Sequence, residues 1–254
     1  MNIPEKLFNY FNEVTYYDVP HKYYLNGNEL ISATTLIHKY QEPFDEEYWA
    51  TVKSIEFGLT KQEVKSCWKF INVKGTMKGS IIHDYTENLF WNKVFYYPQD
   101  IVLKEFGFDP VINEYELTKK LVDKFKSDTM GKLIPIKSEF ILYDKDTNIG
   151  GMTDMIFYNV KANEFQVWDW KTNKDLTFEN KYQKLKYELS DLDDCDFNIY
   201  SLQLSLYRYI IEKNTGISMG DSYIVWFSHN NTNYKVYKIN DYRNYIEKIF
   251  NSRK

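Results

Sequence analysis

The chain has 254 residues, 43% of them hydrophobic, with 23 Tyr, 17 Phe and 6 Trp, which excludes a disordered polymer and supplies ample apolar surface for a core. A formal net charge of −4 argues against a protein that coats nucleic acid nonspecifically, so any phosphate-binding surface has to be local. The two cysteines, Cys67 and Cys195, cannot supply the four ligands of an iron–sulfur cluster and argue against a disulfide framework.

The N-terminal MNIPEKLFNYFNEV lacks the basic start and uninterrupted apolar stretch of a signal peptide, and no apolar run approaches the ~20 residues that span a bilayer. A cytoplasmic protein with no membrane partner is the expectation. In HKYYLNGNELIS, which begins at His21, Asn-Gly between two apolar runs predicts a hairpin. Ser32 or Thr34 is placed to cap a short helix through LIHKY that ends near Pro43. DEEYWATVKSIEF predicts a helix capped by Asp45, and a longer helical region follows that contains KGTMKGSIIHDYTENLFW. Residues 98–112 read as a loose connection, and YELTKKLVDKFKSD as another helix.

The texture then changes. IPIKSEFILYD, IGGMTDMIFYNV and FQVWDWK, separated by the polar turns KDTN and KANE, predict a meander of three strands. NIYSLQLSLYRYIIEK returns to helical periodicity, SYIVWFSH and NYKVYKI predict two more strands, and a final helix closes the chain. This order gives an α+β fold with a mixed sheet.

Residues i and i+2 of a strand share a face, so Asp169 and Lys171 project together and Trp168 and Trp170 project to the other side. Charged residues inside an aromatic strand call for partners or chemistry. On the preceding strand Asp154 follows the pair Gly150-Gly151, which permits a bend or close backbone approach. If the strands pair, Asp154 and Asp169 converge. With the Trp170 backbone carbonyl they form a hard oxygen set suited to Mg²⁺ or Mn²⁺. A lysine beside such a cation suits metal-assisted phosphodiester hydrolysis. Taken alone, DWK is explained as well by an Asp–Lys pair on a solvated face.

The motif has company. Gly151-Met-Thr-Asp154 and Asp169-Trp-Lys171 are preceded by Gly79-Ser80-Ile-Ile-His83-Asp-Tyr-Thr-Glu87 and followed by Gln203-Leu-Ser-Leu-Tyr207. In order and approximate spacing this set resembles the PD-(D/E)XK nuclease superfamily, and within it the RecB-like exonucleases. The regions 21–50 and 191–228 are also similar to small phage and mitochondrial genome-maintenance exonucleases. The resemblance implies an α/β restriction-endonuclease-like core in a single domain over 1–254. The hairpin and helices of the N-terminal region would lie over about 20–130 and the nuclease core over about 75–254.

It implies that Asp154, Asp169 and Lys171 are catalytic and that His83 joins the two aspartates and the Trp170 carbonyl as metal ligands for one or two ions. Imidazole suits Mn²⁺ better than Mg²⁺. Glu87, on the same helix face as His83, either supports the ligands or is structural. Glu139 either lines the site or pairs with Lys137, and Thr172 continues the D-x-K-T pattern. Gln203 and Tyr207 brace the site and touch the DNA strand, or form one face of an amphipathic helix. The family's proline is replaced here by Thr153, and its second acid is the shorter aspartate.

Ser80, Lys78 and Lys174, with Lys74, are candidate phosphate contacts, as is the run Lys181, Lys184 and Lys186. Tyr85, Phe90, Trp91, Trp170 and Tyr200 stack on unpaired bases or, for most, pack in the core. The implied activity is a metal-dependent DNA exonuclease acting on single-stranded ends in phage or organellar-type processing, recombination or repair. Phage or host replication and recombination proteins are the implied partners, and a bacterial host's cytoplasm the location if the chain is phage-encoded. The alternatives are a structure-specific or nicking endonuclease of the same fold and a catalytically silent nucleic-acid-binding protein.

Overall fold

The computed structural model describes residues 5–17 and 22–252. A helix, α1 (Glu5–Tyr10), leads into a small antiparallel sheet of β1 (Val14–Tyr17), β2 (Lys22–Leu25) and β3 (Asn28–Glu29). The expected Asn-Gly hairpin joins β2 to β3: Leu25 pairs with Asn28, while Asn26 and Gly27 take φ values of 50° and 80°. Both central residues lie in the left-handed region that a two-residue hairpin turn requires. His21, where the hairpin reading starts, lies outside the described residues.

β4 (Ile31–Ser32) runs directly into α2 (Ala33–His38), followed by α3 (Glu46–Phe57) and the long α4 (Lys61–Phe90). Ser32 rather than Thr34 caps α2, accepting a hydrogen bond from the Thr35 N–H, and Asp45 caps α3 as expected. Thr60 and Glu63 close a reciprocal capping box on α4.

Residues 98–112 are not a loose connection but contain α5 (Gln99–Phe106). The helix is held by tertiary packing, with Val102 fully buried, and ends at Gly107 in the left-handed conformation. α6 (Ile112–Thr129) follows as expected.

The meander is present as β5 (Leu133–Asp144), β6 (Ile149–Asn159) and β7 (Glu164–Lys171), antiparallel neighbours in that order. After α7 (Asp196–Thr215), β8 (Tyr223–Trp226) pairs parallel with β7 and β9 (Lys235–Lys238) antiparallel with β8, before α8 (Arg243–Asn251). The result is an α+β fold with a six-stranded mixed sheet.

One edge of β6 is shared. β5 covers the other edge, whereas this one takes β4 at residues 149–150 and β7 only from Met155 onward. Residues 151–154 therefore lie in a fork where β4 has ended and β7 has peeled away.

Helices cover both faces. One core combines α1, α2, α7 and α8 with Val167 of β7, and the other combines α4, α5 and α6 with Trp168 and Trp170. The period of two thus holds in β7, and Asp169 and Lys171 emerge beneath α7. α7 is fixed over the sheet at its far end. The fully buried Asp144 accepts hydrogen bonds from the Thr147 N–H at 3.0 Å and hydroxyl at 2.6 Å, and pairs with Lys213 of α7. Burial opposes its ionisation, but Lys213 and Thr147 outweigh that cost and hold the carboxylate below its ordinary range.

Candidate active site

The fork is the floor of a cavity of about 890 Å³ lined by His83, Glu139, Asp154, Asp169, Lys171, Gln203 and Tyr207 among others. Asp154 stands where the β6–β7 ladder stops. Past the Met155–Trp168 pair β7 keeps β8 on one edge but has no strand partner on its β6 side, where a side chain ties it back: the Trp170 N–H donates to Asp154 Oδ2 at 2.7 Å. The other oxygen, Oδ1, lies 3.4 Å from His83 Nδ1. His83 Nε2 lies 3.2 Å from the Trp170 carbonyl oxygen. The imidazole so links both strands of the fork to α4.

Burial opposes charge on His83, but Asp154 outweighs it and holds the imidazolium up to about 9. The same attraction outweighs burial at Asp154 and keeps its carboxylate below the ordinary range.

Asp169 is 3% exposed and pairs with the Lys171 ammonium, which also sits 4.3 Å over the Tyr200 ring of α7. Burial, then the negative charge of Asp154, pushes Asp169 up to about 6. For Lys171 the Asp169 charge outweighs burial and holds the ammonium up to about 12.

Glu139 also reaches the cavity. Its neighbours Ser138 and Phe140 pair with Met155 and Thr153, which sets Glu139 opposite Asp154, and its φ of 43° is left-handed within a strand. A side-chain-bearing residue in that conformation costs about 1–3 kcal/mol and is held only where its surroundings enforce it. Burial, then Glu87 and Asp154, raises its carboxyl to about 6. Among the described residues it forms no ion pair with Lys137, the other role considered for it.

From α7, the Gln203 amide donates to the Tyr207 hydroxyl at 3.1 Å, and both residues line the cavity. Tyr207 packs so closely on Gly151 that a Cβ there would lie 2.6 Å from its ring, so the glycine admits the tyrosine to the fork. Ser80 lines the cavity from α4. Thr172 is buried behind it, its hydroxyl at contact distance, 3.6 Å, from where a Cβ on Gly79 would stand.

Other candidates lie elsewhere. Glu87 does not line the cavity; it accepts a hydrogen bond from the Ser138 hydroxyl at 2.7 Å, and its charge acts on Glu139. Lys174 is exposed outside the cavity. Lys78 is corrected: at 4% exposure it cannot form a rim, because Glu114 of α6, 3.1 Å from its ammonium, draws it inside. Lys74 binds the same carboxylate at 2.6 Å. Lys184 and Lys186 bind Asp193 and Glu42 at 3.0 and 2.9 Å, and Lys181 approaches Glu179 at 3.6 Å.

Of the aromatics, Tyr85, Phe90 and Trp170 are core residues. Trp91 donates to Ser138 at 2.8 Å, and Tyr200 underlies Lys171. Sequence reasoning missed Tyr16 and Tyr23, which β1 and β2 bring to the cavity wall with rings 5.1 Å apart. Their signal is the two tyrosine pairs, Tyr16-Tyr17 and Tyr23-Tyr24, in YYDVPHKYY.

The residues suit a hard divalent cation. Two carboxylates and an imidazole face one cavity, with the Trp170 carbonyl beside the imidazole, and Asp169 and Asp154 repel each other there. Among the described residues no three His, Cys, Asp or Glu side chains form a ready-made cage. Mg²⁺ needs none, since it is commonly held by one or two carboxylates and keeps several waters.

No protein-family model and no curated protein matches the chain. Among solved structures, a candidate exonuclease from Eubacterium rectale is 14% identical over 70% of this chain and 63% of its own, with a TM-score of 0.42. The chain thus spans 63% of that protein's length. The protein SSO0001 is 14% identical over 66% of this chain and 80% of its own, with a TM-score of 0.29.

Proposed function

We propose that the protein is a divalent-metal-dependent nuclease, and specifically a DNA exonuclease acting on single-stranded ends. One observation carries the hydrolytic reading: Asp154, Asp169, Lys171 and His83 share one cavity at the fork, with the Trp170 carbonyl beside His83. Asp154, Asp169, that carbonyl and His83 would hold Mg²⁺ or Mn²⁺, which when bound polarises a phosphate and acidifies water.

Lys171 is the residue placed to act on the reacting groups. Its ammonium, held between the Asp169 carboxylate and the Tyr200 face, is a fixed positive charge that orients an attacking water and stabilises charge developing on a phosphate. Asp169 keeps that ammonium charged, and Asp154 sets the spacing of the fork through the Trp170 N–H. Tyr207 and Gln203 close the cavity from α7 and offer polar groups to the substrate strand. The end-directed form rests on the resemblance of the motif set to RecB-like exonucleases.

The test is cleavage of end-labelled linear single-stranded DNA beside a closed single-stranded circle, with Mg²⁺ or Mn²⁺ and with Lys171→Ala as control. Loss of the linear substrate alone, abolished by the substitution, is the expected result. Cleavage of the circle would make the protein an endonuclease. Failure to cleave either substrate, or an RNA strand of the same sequence, would refute hydrolysis and leave a silent nucleic-acid-binding protein.

A further inference from the structure

The catalytic cavity is the last of three depressions that share walls along α4. It meets a groove of about 480 Å³ between α4 and α5 at Ser80 and Asp84. That groove meets a third depression, of about 750 Å³, at Asn72 and Val73. Their lining positions on α4 run from 62 to 84, 22 residues apart. At 1.5 Å per residue this is a track of about 33 Å ending at His83.

The lining changes along it. The middle groove is walled by Val73, Met77 and Ile81 of α4 and by Ile101 and Val102 of α5, with the acids Asp84 and Glu105 also lining it. The outer depression carries Trp68 against Phe44, ring centroids 5.7 Å apart, with Lys65 and Lys69 beside them. Lys65 is bound to Glu47, whereas among the described residues Lys69 has no ion-pair partner. Ile81 and Val102 belong to the core beneath the groove, but Phe44 is 66% and Ile101 62% exposed, so the outer part of this apolar lining is turned to solvent.

We infer that this track binds an unpaired nucleic-acid strand leading to the catalytic cavity, bases in the α4–α5 groove and on Trp68, backbone toward Lys69. The inference rests on the nuclease reading for its direction. Three features favour this occupant over a protein segment. The track opens into the cavity whose chemistry is directed at phosphodiesters. Its far end joins aromatic faces to Lys69, which has no ion-pair partner among the described residues, the pairing that binds single strands without regard to sequence. The acids of the middle groove, Asp84 and Glu105, repel phosphate and accept hydrogen bonds from base amino groups, which turns bases inward. A duplex keeps its bases stacked inside and cannot use the apolar wall.

The test is fluorescence anisotropy with a labelled single-stranded oligothymidylate and a duplex of the same length, in EDTA so that nothing is cut. Wild type should bind the single strand at least tenfold more tightly than the duplex. Trp68→Ala and Ile101→Asp should each weaken single-strand binding roughly tenfold, in the lower part of the range for loss of one stacked base. Lys69→Ala should lower the slope of log K against log salt by about 0.7, one single-strand phosphate. Trp68→Phe should restore most of the binding, and Val160→Ala, in the turn after β6, should change nothing.

Equal affinity for duplex and single strand, or wild-type binding by both Trp68→Ala and Ile101→Asp, would overturn the inference. Because no cleavage is involved, these outcomes are separate from failure of the nuclease reading. A protein that cut nothing with metal yet lost its strand with Trp68→Ala would keep the track and lose the hydrolase.

Discussion

Two buried Asp–Lys pairs lie at opposite ends of α7, and they are built to different ends. At one end Asp144 is fully buried, meets Lys213, and has the Thr147 N–H and hydroxyl to satisfy it, so its carboxyl is held below the ordinary range. At the other, Asp169 is 3% exposed and meets Lys171, but a second carboxylate, Asp154, shares its cavity and burial pushes it up to about 6. The same two residue types give a completed structural tie in one place and an electrostatically incomplete one in the other. An ion pair is finished when hydrogen bonds satisfy its remaining lone pairs. The unfinished pair is the one that faces a cavity.

The largest expected effect separates the pairs by function. Lys171→Ala should lower cleavage on the order of 10²–10³-fold, the usual cost of losing one preorganised electrostatic group. Lys213→Ala should leave turnover within twofold at a temperature where both variants are folded. Equal losses of turnover would erase the distinction.

Stability should rank the pairs the other way. Asp144→Ala breaks a buried, hydrogen-bonded tie and should cost about 3 kcal/mol in urea unfolding, whereas Asp169→Asn, which removes one of two mutually repelling charges, should cost under about 1 kcal/mol. The pH dependence follows from the lowered folded value of Asp144. Its contribution is complete above the ordinary aspartate value near ~3.9 and is lost as pH falls through the lower folded value. The urea midpoints of wild type and Asp144→Asn should therefore draw together in that acid range, and parallel curves down to the acid limit would contradict it.

A divalent cation should complete the unfinished pair alone. Mn²⁺ at 100 times its Kd should stabilise the wild type by about 2.7 kcal/mol, an effect absent in Asp154→Asn and retained in Asp144→Asn. A thermal shift of equal size in all three would place the cation elsewhere.

The smallest effect sharpens the geometry. Tyr200→Leu removes the ring beneath Lys171 and should lower kcat about two- to fivefold at unchanged KM, with Tyr200→Phe near wild type. A change in KM alone would assign Tyr200 to substrate contact.

The meander was legible because its signals are local: alternation, β-branched and aromatic content, and the polar turns KDTN and KANE. The caps at Ser32 and Asp45 were legible for the same reason. The acids of the site were found as motifs, and their convergence followed from strand pairing. What failed depends on contacts distant in sequence. Lys78 reads as a surface lysine until Glu114, 36 residues on, is known to face it. α5 reads as a connection because its helicity comes from the burial of Val102. No periodicity in β7 forecasts that the ring under Lys171 is Tyr200.

The fork also has a kinetic consequence. Residues 151–153 are joined to β5 along one edge and to no strand along the other, whereas residues 155–159 are joined on both. Backbone amides directed into the fork have only the local environment to protect them from solvent. Hydrogen exchange should therefore find a fast island inside the slowest strand of the sheet. Substrate or metal seated there should slow that island and leave its flanks unchanged, giving a residue-by-residue record of occupancy that no chemical turnover is needed to read.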